Sequence, residues 1–359
     1  MNPYEHRRRN VSLDEDDQTI AEAFADFFGS VVSADSVRQA EAEGIDRDLW
    51  QRAVEMGVTS MALPEHLGGD DAGVFALALV AGEAGRVLAP IPFIDHVVAT
   101  RLLVATGDPA AAPLIAAAAA GETILAFAAR SLDARRLVAG AAIATYTVGF
   151  DGTDIVVVSA DEPRARVRNR AHLPSAWVDP AAERNLRLAS PDAPTAYRRA
   201  RDEWNVLTAA ALAGLTAGSL ALGAESTKTR ETMGVPLGML QGVAFPLVDA
   251  HIGAVSARSL ALRAAWFLDH EPDAETHLPA AALVYAHDVA VRGTNVSAHV
   301  QGGLGFTNEA PTTPYFLRAH GWALAGGDLR AERRHIVESE LAARRAARAL
   351  APDPAVLAH

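Results

Sequence analysis

The chain contains no cysteine. That absence excludes a disulfide framework, a thiolate nucleophile and a cysteine metal site, and it fits a cytoplasmic setting. Aromatic residues make up only 6% of the 359 residues, too few for an aromatic-rich β-sandwich core. Half the chain is hydrophobic and alanine dominates, so closely packed helices are expected. Positive charge is also scarce. A formal net charge of -12 disfavours nucleic acid and anionic membrane surfaces, and the one strongly basic cluster, His6 to Arg9, reads as a solvated tail. The N-terminus lacks the apolar core of a signal peptide. The uncharged run "TAAALAGLTAGSLALGA", Thr208 to Ala224, is rich in small residues and slightly short of the ~20 residues a membrane span needs, so it reads as a buried helix. No Gly-x-Ser-x-Gly elbow or His-x-x-x-His pair occurs, which argues against a serine hydrolase and against metal catalysis.

What is present has a clear order. From about residue 14 to 120 the pattern is helical. In "TIAEAFADFFGSVV", Ile20, Phe24, Phe27 and Phe28 share one face, and in "DRDLWQRAVEMG", Leu49, Ala53 and Val54 turn inward before Gly57 stops the helix. Residues 121–197 change texture: "TILAFAA", "AIATYTV" and "DIVVVSA" are strand-like, with Asp151-Gly152 as a hairpin turn. Helical patterning returns near 200–230, 241–269, 278–301 and 314–349, joined by short turns, as in an antiparallel four-helix bundle. Gly214 and Gly218 lie on one face of the first of these and read as a close helix crossing. The domain plan is therefore a flexible tail (1–13), an N-terminal helical domain (14–120), a reduced β domain (121–197), a C-terminal bundle (198–350) and a second tail (351–359). A Rossmann sheet would need strands alternating with helices.

"HVQGGLGFTNE", His299 to Glu309, has the glycine density of a phosphate loop but the wrong context. A phosphate cradle needs a strand before the glycines and a helix N-terminus after them. Here a helix precedes them, so its negative dipole end faces the loop, and the residues alone read as a C-cap turn.

Several stretches together resemble the acyl-CoA dehydrogenase family of flavoenzymes, in particular actinobacterial-type members. "DLWQRAVEMGVTSMALPEHLGG" and "LVAGEAGRVLAPIPF" resemble its N-terminal helical domain. "STKTRETMGVPLGMLQ", Ser226 to Gln241, resembles its Arg-x-x-Phe-Gly segment and following Gln. The glycine stretch, continuing to "YFLRAHGWALAGGD", resembles its Gly-Gly-x-Gly-Phe segment and the helix beyond. The resemblance covers nearly the whole chain in order. It implies a mainly α fold with a small central β domain and a four-helix bundle, FAD at a subunit interface, and α,β-desaturation of an acyl-CoA thioester by a carboxylate base with hydride transfer to the flavin.

Carried over residue by residue, the resemblance places Arg230 at the FAD diphosphate, Thr232 and Met233 along the flavin nucleotide with Met233 replacing the usual Phe, and Gln241 at the glutamine of the same segment. Gly302 and Gly303 let the adenosine diphosphate part approach the backbone, and His299 stands where Gln is usual. Read without the resemblance, Arg230 is a cation at a helix C-terminus.

The losses are as informative. Nine residues after Arg318, where the common catalytic glutamate falls, stands Gly327, which cannot abstract a proton; Asp328 is adjacent. The alternative base position on the helix opening the bundle is Trp204, with Glu203 one residue and about 100° away. "FAARSLDARRLVAGAA", Phe127 to Ala142, lacks the flavin-contacting β-domain signature. In the family the arginine, the glutamine and the Gly-Gly motif reach across an interface to FAD held mainly by the neighbour, whereas the base and β-domain loop serve the subunit's own flavin.

The resemblance thus implies the non-catalytic subunit of a heteromeric dehydrogenase. Its paralogue would carry the catalytic Glu, and the substrate would be a bulky, steroid-derived acyl-CoA, with an unidentified electron acceptor. Two alternatives stay open: a self-sufficient homo-oligomer using Glu203 or Asp328 as base, and a flavin-free scaffold or regulatory protein of the same fold.

Overall fold

The computed structural model describes residues 3–350; the expected tail at 351–359 lies outside the described residues. Seven helices come first: α1 (Pro3–Arg9), α2 (Glu15–Val31), α3 (Ala34–Ala40), α4 (Arg47–Glu55), α5 (Val74–Val87), α6 (Phe93–Thr106) and α7 (Ala112–Ala119). Asp14 starts α2 with a reciprocal capping box to Asp17, satisfying otherwise orphan amides. Phe24 and Phe28 are buried, with Ile20 and Phe27 packed beside them. Helix α4 stops ahead of Gly57, whose φ of +82° suits a residue without a β-carbon.

The basic N-terminus is not a solvated tail. It forms α1, and its arginines pair with acids both nearby and far along the chain. Arg7 bonds Asp14 at 2.7 Å and Asp17 at 2.6 Å, and Arg8 bonds Glu271 at 2.8 Å. Tyr4 packs against Trp266, with ring centroids 5.1 Å apart.

The β region holds a four-stranded sheet of β1 (Leu125–Phe127), β3 (Tyr146–Phe150), β4 (Ile155–Ser159) and β6 (Arg184–Leu188), paired in that order, and a two-stranded sheet of β2 (Arg136–Val138) and β5 (Ala176–Val178). β3 and β4 form the expected hairpin, with Val148 opposite Val157. Asp151 Oδ1 closes its turn by accepting from the amides of Thr153 and Asp154.

The bundle is built on α8 (Ala193–Thr229), with α9 (Gln241–His270), α10 (Leu278–Val300), α11 (Thr313–Ala319) and α12 (Leu329–Leu350). A small hairpin, β7 (Glu231–Thr232) and β8 (Val235–Pro236), joins α8 to α9. At about 1.5 Å per residue, the 37 residues of α8 span roughly 55 Å. Among the described residues it is the one helix long and apolar enough to cross a membrane, and 78% of its most apolar window is buried inside the protein.

Glycines set the crossing of α5 and α8. A β-carbon on Gly214 would strike the carbonyl of Gly82, one on Gly218 that of Arg86, and one on Gly85 that of Ala211. The fourth bundle segment is not one helix. It breaks after α11 and again at Gly327, whose φ of +118° a side-chain-bearing residue rarely adopts.

Candidate functional site

The nucleotide-type residues lie on the outer surface at one end of the bundle. Arg230 caps α8 in extended conformation, and its exposed guanidinium donates from Nη1 to the carbonyl of Gln301 at 3.1 Å. Gly302 has φ +64°, and a β-carbon there would lie 2.8 Å from Arg230 Nη1. Glycine is therefore needed twice over, for the left-handed backbone and for the cation's approach. Gly303 faces open space. These three residues are brought together.

Thr232 and Met233 sit at the exposed tip of the β7–β8 hairpin, where Met233 and Gly234 at φ +52° and +78° form the consecutive left-handed pair that a tight hairpin requires. The hairpin closes when the amide of Leu237 donates to the carbonyl of Arg230 at 2.7 Å. Met233 is 90% exposed and touches no core. Gln241 opens α9 and His299 lies in the last turn of α10, both exposed. Gln301, by contrast, is buried. Its Nε2 donates to Thr312 Oγ1 at 2.8 Å, so it is committed to the interior. Phe306 is 73% exposed.

The positions considered for a base hold either no carboxylate or one already engaged by another group. Gly327 has no side chain, and Arg130 fills the space beside it, with Cδ 3.1 Å from where a β-carbon would stand. Asp328 is exposed and accepts the amide of Arg330 at 2.9 Å, the work of a helix cap. Glu203 is clamped by Arg101 through bonds of 2.9 and 3.2 Å. It lines a cleft with Asp192 and Arg199, whereas Trp204, one position on, lines a different pocket.

That pocket has a volume of about 150 Å³, lies among α5, the Leu88–Asp95 segment, α8 and the β region, and is mostly apolar. Trp204 forms part of its wall and donates from Nε1 to Asp95 Oδ1 at 3.0 Å. Asp95 is half-buried in the pocket wall, and desolvation there pushes its carboxyl up to about 7 despite the Trp204 bond, which favours the charged form. The next residue, His96, is a structural group. Its Nδ1 accepts from the amide of Leu125 while Nε2 donates to the carbonyl of Ala118, and burial lowers its pKa to about 4. At the far end of the pocket, buried Arg318 and half-buried His172 both approach Glu41, at 3.5 and 3.4 Å. Sequence reasoning missed Asp95, because an acid in the first turn of a helix is commonplace dipole compensation. The available signal was its place inside the apolar run "PIPFIDHVV".

A helical N-terminal domain, a small β domain and a helical bundle carrying this Arg and Gly-Gly surface define the fold of the acyl-CoA dehydrogenases. Residues 14–122 match the acyl-CoA dehydrogenase N-terminal domain and residues 204–341 the C-terminal domain. The chain belongs to the acyl-CoA dehydrogenase family, flavoprotein oxidoreductases of lipid and steroid degradation. It is 28% identical to the acyl-CoA dehydrogenase IpdE2 of Mycobacterium tuberculosis over 319 residues, covering 86% of this chain and 92% of that protein. It is 27% identical to FadE27 of the same organism, covering 82% and 89%. Among solved structures, one chain of the ChsE4-ChsE5 complex from Mycobacterium tuberculosis superposes with a TM-score of 0.81 at 23% identity, covering 92% of this chain and 98% of that one. A variant of the Tcur3481-Tcur3483 steroid ACAD gives 0.82 at 23%, covering 93% and 99%.

Proposed function

We propose that this chain is the non-catalytic subunit of a heteromeric acyl-CoA dehydrogenase acting on a bulky, steroid-derived acyl-CoA. It presents Arg230, Thr232, Met233, Gln241, His299, Gly302 and Gly303 to the nucleotide part of an FAD held chiefly by a paralogue, and that paralogue supplies the catalytic Glu. When bound, FAD provides the hydride acceptor for α,β-desaturation. The residues of this chain bind and orient. Arg230 offers a fixed fork of donors to a diphosphate, and the two glycines leave the backbone open to close approach.

The observation that carries the reading is Gly327 at the usual base position, with Arg130 packed beside it and Trp204 at the alternative position. The binding residues, meanwhile, are turned outward, where a second polypeptide can meet them. Two further features support it. On α9, Phe245, Val248, Ile252 and Val255 are each more than half exposed along one helix face, as expected of a surface that another subunit covers. The similar chains in the ChsE4-ChsE5 and Tcur3481-Tcur3483 structures come from two-protein assemblies.

The test is the visible absorption spectrum of the chain purified alone and after co-expression with its candidate paralogue. Flavin only in the co-expressed sample, reduced by Arg230→Ala in this chain, is the expected result. Flavin in the lone chain would return a self-sufficient enzyme to the front, and no flavin in either sample would favour a scaffold.

A further inference from the structure

A long side chain at the surface loses rotamer freedom when a ligand fixes it, so whatever already holds Arg230 decides how well it can serve a diphosphate. Among the described residues that hold is one hydrogen bond, from Nη1 to the Gln301 carbonyl at 3.1 Å. We propose that Gln301 is a positioning residue: its buried side-chain amide, latched to Thr312, aims the backbone carbonyl that keeps Arg230 ready for the flavin diphosphate. This role rests on the flavin-completing function proposed above.

Gln301 faces two ways. Its carbonyl points outward to Arg230, while its side chain is buried and donates from Nε2 to Thr312 Oγ1 at 2.8 Å and to the Ser297 carbonyl at 3.3 Å. Thr312 is fully buried and leads into α11, where its own carbonyl accepts from the Phe316 amide at 3.1 Å. The latch thus joins the last turn of α10 to the start of α11 and closes the glycine-rich segment between them.

The junction needs such a restraint. Gln301 keeps helical dihedrals, φ −80° and ψ −7°, and Gly302 turns left-handed at φ +64°. Glycine is the residue whose backbone resists rotation least, and a rotation here would swing the Gln301 carbonyl away from Arg230 Nη1. The Gln301 amide resists it from inside. The far end of the segment is pinned separately, by Arg38 Nη2 donating to the carbonyls of Asn308, Glu309 and Ala310 at 3.3, 3.1 and 3.2 Å. That leaves the near end to its own latch.

FAD dissociation constants of the complex with the paralogue, read from flavin fluorescence, separate positioning from plain structural support. Arg230→Ala should weaken FAD about tenfold or more, the loss of a hydrogen bond from a charged group. Thr312→Val keeps the shape and removes the acceptor, and Gln301→Met keeps the length and removes the donor. Each should weaken FAD about three- to tenfold, while Thr312→Ser, which keeps the hydroxyl, should bind as the wild type does. The deciding readout is the double variant. A latch that acts through Arg230 makes Thr312→Val cost nothing further once Arg230→Ala is present, whereas independent structural effects add. Additive losses, or wild-type affinity in folded Thr312→Val and Gln301→Met complexes beside a weakened Arg230→Ala, would overturn the positioning role and leave the flavin-completing function standing. Unchanged affinity in Arg230→Ala would overturn both.

Discussion

Asp95→Asn isolates the energetic consequence of enclosing a carboxyl group between α6 and α8. In the unfolded chain the group titrates at its ordinary value of 3.8, and in the folded protein burial raises it to about 7. Between those values the folded state holds a proton that the unfolded state has released. The associated stability is therefore complete below about pH 4, declines as pH rises, and is gone once pH passes about 7. Each tenfold difference in proton affinity between the two states is worth about 1.4 kcal/mol, so the full effect is at most ~4 kcal/mol, and exposure to the pocket reduces it. Trp204 faces Asp95 directly, while Arg130 and Arg136 line the narrow crevice it shares and Glu41, His172 and Arg318 line the larger pocket. Asparagine keeps a carbonyl oxygen for Trp204 Nε1 and cannot ionise. Urea unfolding of wild type and variant, followed by circular dichroism between pH 5 and 7.5, should show the variant gaining on the wild type by about 2 kcal/mol across that range. A gap that stays constant with pH would refute the claim that desolvation holds the Asp95 proton in the folded state.

Two further substitutions test the packing and the base assignment. Glu203→Gln breaks the Arg101 pair and leaves a largely enclosed cation, so it should cost roughly 3 kcal/mol in unfolding experiments while leaving the turnover of a folded heteromeric complex unaltered; a selective collapse of turnover would reinstate Glu203 as a base. Gly214→Val drives a branched side chain into the Gly82 carbonyl and should lower stability by at least about 3 kcal/mol, and a neutral result would show that α5 and α8 do not cross closely.

The parts of the fold that read correctly from sequence are those governed by local rules. Periodicity placed Phe24 and Phe28 in the core, Asp151-Gly152 turned the hairpin, Gly57 ended α4, and the spacing of Gly214 and Gly218 marked a close crossing. Where sequence reasoning fell short, a distant partner decided the outcome. Arg8 is helical against Glu271, more than 260 residues away, and no local signal distinguishes that arginine from a solvated one. The last bundle segment is broken at Gly327 because the backbone there passes Arg130 of the β region. β2, β5 and β6 escaped notice because none lies in a long apolar, β-branched run of the kind that marks β1, β3 and β4. Family likeness paired Arg230 with Gly302; the structure adds that the guanidinium rests against the backbone that glycine leaves bare, while Gln301 turns away to Thr312.

The two sides of this subunit carry opposite energetic signs, and that contrast bears on the proposed role. On the outer side, Met233, Phe306 and the α9 face leave apolar surface in water, an unfavourable arrangement that association with another chain would relieve. On the inner side, Trp204 stands where the alternative base would stand, and Arg130 stands beside Gly327, so restoring a carboxylate at position 327 would mean fitting a side chain onto a φ of +118° against a cation. The proposed role agrees with both sides: position 327 offers neither room nor backbone for a carboxylate, and the outer side is a surface that a partner can complete. Asp95 fits neither description: its raised pKa makes it a cost to stability near neutral pH, and it contributes no outward contact.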